Sequence, residues 1–262
     1  MSFIEISRGN SPLVLGIPHT GPKIPEDIWP DLNENGRALA DTDWHIHDLF
    51  HDLLPDITAV RTLVHRYVID ANRDPNGISL YPGQNTTELC PTTDFDGRAI
   101  YRENHAPNCE MIIERRKKYH APYHAALQQE LDRLREIHGF VVLFDCHSIR
   151  SNIPFLFDGK LPDFNIGTAN GTTCAREIEA ATVDICAQAE GYSHVLNGRF
   201  KGGWTTRHYG HPEIGQHAIQ MEIAQSTYMV ESPPWTYDID KANSLRSHLK
   251  TILATLAQWS PK

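Results

Sequence analysis

The segment FVVLFDCHS, residues 140–148, runs from five apolar residues straight into Asp145, Cys146, His147 and Ser148, a set able to hold a metal or activate a nucleophile. On an extended strand Asp145 and His147 share a face while Cys146 points the other way, which separates Cys146 from His147 as a nucleophile–base pair. A second apolar run, LVLGIPHTG at 13–21, also delivers a histidine, His19. Two strands bringing imidazoles to one sheet edge suit a shared divalent metal, because neutral imidazole is the commonest zinc ligand. Hydrogen-bonded strand-end histidines are the alternative. A catalytic zinc usually takes three protein ligands and leaves one position for water. ADTDWHIHDLF, residues 40–50, offers the third ligand. There Asp41 reads as the cap of the helix that follows and Asp43 as the ligand, with His47 and Asp145 competing for that place. His45 and His51 read as surface residues.

Three further positions carry charge where the pattern is otherwise apolar or turn-like. Glu222, in AIQMEI at 218–223, sits inside a strand on the face of Gln220. A lone buried carboxylate is costly unless it is paired or used, so Glu222 is a general-base candidate or one half of a salt bridge. VIDANRDPNG, residues 68–77, supplies Asn72 and Arg73. Arg73 can grip a carboxylate through its planar fork or pair with Asp70 or Asp74. Arg207, followed by His208 in GGWTTRHYG at 202–210, poses the same choice.

The elements that must position these groups alternate. Strand-like runs lie at 13–17, 64–70, 140–144 and 218–223, with weaker ones near 3–6 and 194–196. Leu127, Leu131, Leu134 and Ile137 form a helical stripe that stops at Gly139, a C-terminal cap. Leu245, Leu249, Ile252, Leu253 and Leu256 make a closing amphipathic helix. Such alternation predicts an α/β fold: a mixed, mostly parallel central sheet with helices on both faces and ligands beyond the C-terminal strand ends. Two long loops, 71–98 and 197–216, read as functional or disordered, and the aromatic and basic content of the second favours an ordered binding loop.

Composition limits the rest. With 262 residues and no dividing linker, the chain reads as one domain, 1–262. A net charge of −9 disfavours nucleic acid and anionic membranes as partners, and no apolar run approaches the roughly 18 residues of a membrane span. No basic-then-apolar leader opens the chain, so the expectation is a cytoplasmic protein. Five widely spaced cysteines without a CxxC argue against both a disulfide framework and a thiolate zinc site. No protein partner is indicated.

IPHTG, DTDW, VIDANRDP, FDCHS, GGWTTRHYG and AIQMEIAQSTYM, taken in order, resemble the N-formylglutamate amidohydrolase (deformylase) family through most of the chain. The resemblance implies the phosphorylase/hydrolase-like fold of zinc carboxypeptidases and aspartoacylases. It implies one divalent ion, zinc first, with His19 and His147 matching the ligand histidines and Glu222 the base. Asn72 and Arg73 match a carboxylate-holding Asn-Arg pair. Carboxypeptidase relatives carry His-x-x-Glu at the first ligand site, whereas here Pro22 stands three after His19, so the carboxylate ligand falls to Asp43 by elimination. The implied reaction is hydrolysis of N-formyl-L-glutamate to glutamate and formate, the last step of a histidine-degradation route. Arg73 and Arg207 would clamp the two carboxylates, with His208 beside them. Competing readings are an aspartoacylase-like or carboxypeptidase-like hydrolase of another N-acyl acidic amino acid, a non-catalytic small-acid-binding protein, and a metal-free hydrolase built on Cys146 or Ser148.

Overall fold

The computed structural model describes residues 3–80, 83 and 85–261. Residues 1, 2 and 262 of the expected domain, and 81, 82 and 84 of the first long loop, lie outside the described residues. In chain order the main elements are β1 (Ile4–Ser7), β2 (Leu13–Ile17), α1 (Glu34–Arg37), α2 (Ile46–Phe50), β3 (Thr58–Thr62), α3 (Cys109–Arg115) and α4 (Ala121–His138). There follow β4 (Val141–Ile149), β5 (Phe164–Gly167), α5 (Arg176–Gln188), β6 (His194–Leu196), α6 (Trp204–Tyr209), β7 (Gln216–Ala224) and α7 (Ile239–Gln258).

The strands form one sheet in the order β1-β3-β2-β4-β7-β5-β6. β3, β2, β4 and β7 are parallel, while β1 and β5 run antiparallel to β3 and β7 and β6 runs parallel to β5. This is the expected mixed, mostly parallel sheet. All nine residues of β4 and all nine of β7 are buried, as a central strand covered on both faces requires.

The two-residue strand period divides the core. Val142, Phe144 and Cys146 of β4, with Ile219, Met221 and Ile223 of β7, pack against Leu245, Leu249, Ile252, Leu253 and Leu256 of α7. Val141, Leu143 and Ala218 face Tyr123, Leu127, Leu131 and Leu134 of α4. Gly139 ends α4 with φ +78°, the left-handed geometry a glycine cap supplies. Asp238 opens α7 by accepting a hydrogen bond from Lys241 N at 3.1 Å. No described helix is long and apolar enough to cross a membrane.

Three sequence readings change. Residues 64–70 are not a strand: the strand is β3, and the chain then turns, with Val68 N donating to His65 O at 2.9 Å. Val64, Val68 and Ile69 bury themselves in a small separate core with Ile28, Leu89, Cys90 and Tyr119, which imitates a strand's apolar content. β4 does not stop at Phe144 but stays paired with β7 through Ile149. The loop at 197–216 contains the short helix α6.

Candidate metal centre and substrate cavity

His19 lies two residues beyond β2. The chain there runs so close to the end of β3 that a Cβ on Gly21 would sit 2.2 Å from the Leu63 carbonyl carbon. Asp43 N donates to His19 O at 3.1 Å, which brings the two side chains together. β4 brings His147 to the same point. His19 Nδ1 and His147 Nδ1 are 3.2 Å apart, and Asp43 Oδ2 lies 3.6 Å from the first and 3.3 Å from the second. A tetrahedral ion bonded at about 2.0–2.1 Å separates its ligands by about 3.3 Å, so this triangle has the size of one face of such a site. The three residues are buried, and the group could hold a metal ion.

The outer nitrogen of His19 is held as well. His19 Nε2 is 2.7 Å from Asp70 Oδ1. Donation there fixes the tautomer and leaves Nδ1 as a lone-pair donor into the triangle. Asp70 is itself gripped by Arg66 Nη2 at 2.6 Å. His147 Nε2 faces Asn72 Nδ2 at 3.1 Å, and Asn72 Oδ1 accepts from Thr205 N at 2.8 Å. Asp145 Oδ1 stands 3.0 Å from the same Nε2 but off the line of a hydrogen bond. The other Asp145 oxygen accepts from Thr206 Oγ1 at 2.8 Å. Asp43 Oδ2 accepts from Ser148 N at 3.0 Å, and Oδ1 faces Arg66 Nη1 at 3.4 Å.

These contacts set the charges. Burial pushes the Asp43 carboxyl up, but the adjacent His19 and His147 outweigh it and hold Asp43 well below the usual carboxylate range. Burial likewise raises Asp70, and Arg66 and Arg73 more than reverse that. Burial lowers His147, yet Asp145 and Asp43 carry it well above an ordinary imidazole. Glu222, the Cα partner of His147 across β4 and β7, is pushed up to about 8 by burial, with His147 opposing. Gln220 Nε2 donates to its Oε2 at 3.2 Å.

The triangle opens into a cavity of about 180 Å³. His19, His147 and Glu222 form part of its wall, and among the described residues four cations line it: Arg66, Arg73, Arg199 and Lys201.

A family model described as N-formylglutamate amidohydrolase matches residues 11–229. The chain belongs to that family. It is 45% identical to an N-formylglutamate deformylase of Pseudomonas aeruginosa and 47% identical to one of Pseudomonas putida, each over 98% of this chain and 96% of the relative. The crystal structure of N-formylglutamate amidohydrolase from Ralstonia eutropha superposes with a TM-score of 0.79 at 22% identity, covering 98% of both chains. That likeness shows a common fold.

Within this family fold, the structure brings His19, Asp43, His147 and Glu222 together and sets Asn72 and Arg73 on the same cavity wall. It does not bring Arg207 or His208 there. Arg207 Nε donates to Gly202 O at 2.9 Å and the His208 ring stacks on Trp204 at 4.2 Å, and neither residue is among the described ones that line the cavity. Asp41 does not cap α2: it is buried, accepting from Tyr67 Oη and Phe95 N at 2.8 Å each, and burial pushes it up to about 6. The cap position of α2 is His45, without a side-chain bond. His47 stands apart from the triangle, half-buried beside Asp48. Cys146 packs in the α7-side core, its thiol pushed well above its usual value by burial. Ser148 lines the cavity, and its hydroxyl pairs with Tyr228 Oη at 2.7 Å. Arg66 and Lys201 stand at the site without having been singled out in the sequence, where Asp70 was named only as an alternative partner of Arg73. The four-residue spacing of Arg66 and Asp70 was the available signal for their pairing.

Proposed function

We propose that the protein, as a single cytoplasmic hydrolytic domain, cleaves N-formyl-L-glutamate to L-glutamate and formate, closing a histidine-degradation route. The observation that carries this reading is the triangle of His19 Nδ1, Asp43 Oδ2 and His147 Nδ1, with edges of 3.2–3.6 Å, beside Glu222 on a cavity wall rich in cations. The deformylase names of the Pseudomonas relatives support the substrate. Five free cysteines support a reducing compartment.

His19, Asp43 and His147 would hold a divalent ion, zinc by the nitrogen and oxygen donor set. When bound, that ion supplies Lewis acidity, acidifying a water molecule and polarising a carbonyl. Glu222 removes the proton of the attacking water. Burial holds its carboxyl above the ordinary range, which favours uptake of that proton. As the C–N bond breaks, Glu222 returns the proton to the leaving amine, and formate departs. Asp70 keeps His19 in the tautomer whose Nδ1 faces the centre. The formyl group offers little to grip, so orientation comes from the carboxylates. Arg73 binds one of them with a guanidinium oriented by donation to Thr87 O and Asn72 O, at 2.9 and 3.0 Å.

Metal analysis beside formate release from N-formyl-, N-acetyl- and N-succinyl-L-glutamate tests this reading. About one divalent ion per chain, loss of activity on chelation and a preference for the formyl compound are expected. Turnover of the acetyl compound alone would move the protein to an aspartoacylase-like activity. Full activity after exhaustive chelation would remove the metal from the mechanism.

A further inference from the structure

We infer that Lys201 is the specificity-determining cation that holds the side-chain carboxylate of the substrate's glutamate moiety. The inference rests on the function proposed above and deepens it. A dianionic amino-acid derivative needs two cationic partners, and four cations line the cavity. Three are already committed: Arg66 and Arg199 to the protein, and Arg73 to the first carboxylate by the function proposed above. Arg66 is paired with Asp70 at 2.6 Å and faces Asp43 at 3.4 Å. Arg73 donates to Thr87 O, Thr87 Oγ1 and Asn72 O. Arg199 donates to Leu156 O at 3.1 Å and to Asn85 O at 3.3 Å, tying the two sides of the cavity mouth together. Lys201 differs: no side-chain hydrogen bond or carboxylate partner is recorded for it among the described residues, although the chain is strongly acidic overall.

Its backbone is also anchored within the loop between β6 and α6. Ala169 N donates to Lys201 O at 2.6 Å. A Cβ on Gly167 would meet Gly202 N at 2.4 Å, and one on Gly203 would meet Asn72 Nδ2 at 2.3 Å. The three glycines thus let the loop lie directly on the end of β5 and on Asn72. Gly203 N donates to Gln220 Oε1 at 2.6 Å, which ties the same loop to the neighbour of Glu222. A lysine on a fixed backbone offers a compact point charge on a four-carbon stem, suited to a carboxylate two methylenes away from the reacting amide.

Lys201→Ala, Lys201→Arg and Lys201→Glu in the metal-loaded full chain test this assignment. For Lys201→Ala, kcat/KM on N-formyl-L-glutamate falls about 10- to 100-fold through KM, the scale of one charge-assisted hydrogen bond, while N-formyl-L-glutamine shifts by less than about 3-fold. Lys201→Arg keeps the preference for the acid, and Lys201→Glu reverses it. Equal losses on the acid and the amide, or an unchanged KM for the acid, would overturn the assignment. Calorimetric binding of L-glutamate and L-glutamine provides a readout that needs no turnover. Wild type should favour glutamate and Lys201→Ala should lose that preference. A wild type that binds glutamate selectively but releases no formate refutes the proposed reaction and leaves the clamp standing. A wild type that binds both equally refutes the clamp.

Discussion

The two faces of β4 and β7 are built from alternate residues of the same strands, yet they do different work. On the α7 side, Val142, Phe144 and Cys146, with Ile219, Met221 and Ile223, stay apolar along the whole length. On the α4 side, the strands begin apolar, with Val141, Leu143 and Ala218. They then carry Asp145, His147, Gln220 and Glu222, all buried. The change falls near the start of α4, where His120 Nε2 meets Arg73 O at 3.0 Å and His124 Nε2 meets Ala71 O at 2.7 Å. Beyond the helix the side chains of this face meet the cavity or polar partners. A period of two therefore lets neighbouring residues serve stability and chemistry separately: Cys146 fills the core while His147 faces the centre.

If the division holds, changes on the two faces should fail in different ways. His147→Ala should reduce metal content from about one ion toward zero and lower formate release by at least about 1,000-fold, since several kcal/mol of Lewis-acid stabilisation goes with the ion. Retained metal and rate would break the assignment of the α4 face. Glu222→Gln keeps the shape and should lose about 100- to 10,000-fold in kcat with metal content unchanged. Phe144→Ala, from the other face, should cost about 3–5 kcal/mol in denaturant unfolding. Its remaining folded fraction should keep the wild-type KM.

The boundary between the faces can be probed by pH. Burial holds His124 down to about 3 in the folded protein, against an ordinary value of 6.5. Unfolded chains take up the proton that folded ones refuse, so stability falls as pH drops below about 6.5, by about 1.4 kcal/mol per pH unit until near 3. Between pH 6.5 and 5 this group costs about 2 kcal/mol. Urea titrations of His124→Gln should show that part of the slope removed. The smallest effect is expected from Cys146→Ala: a loss of about 1 kcal/mol or less in stability and unchanged kcat/KM. A large loss of activity there would revive a thiol mechanism.

Much of this division could be read before any coordinates. Alternation in FVVLFDCHS separates Cys146 from His147, and the leucine stripes of α4 and α7 mark the covering helices. What escaped reading depended on contacts distant in sequence. VHRYVID has the composition of a strand, but its apolar residues fill a side core with Leu89 and Cys90, so Arg66 was hidden inside a misread element. The sequence around Arg207 does not show that its Nε donates to Gly202 O. Asp41 looked like a cap because its partners, Tyr67 and Phe95, come from 26 and 54 residues away. The place of Lys201 depends on a glycine-to-glycine contact between Gly167 and Gly202, which no local pattern announces.

β4 and β7 remain paired with each other from Val141–Gln216 to Ile149–Ala224, with β5 flanking β7 at Glu222 and β2 flanking β4 as far as Asp145, two residues before His147. The amides of His147 and Glu222 thus belong to the part of the molecule that opens last, and they should exchange with deuterium only on global unfolding. Distant destabilising substitutions would then lower activity by depleting the folded population, leaving each surviving molecule with an intact centre.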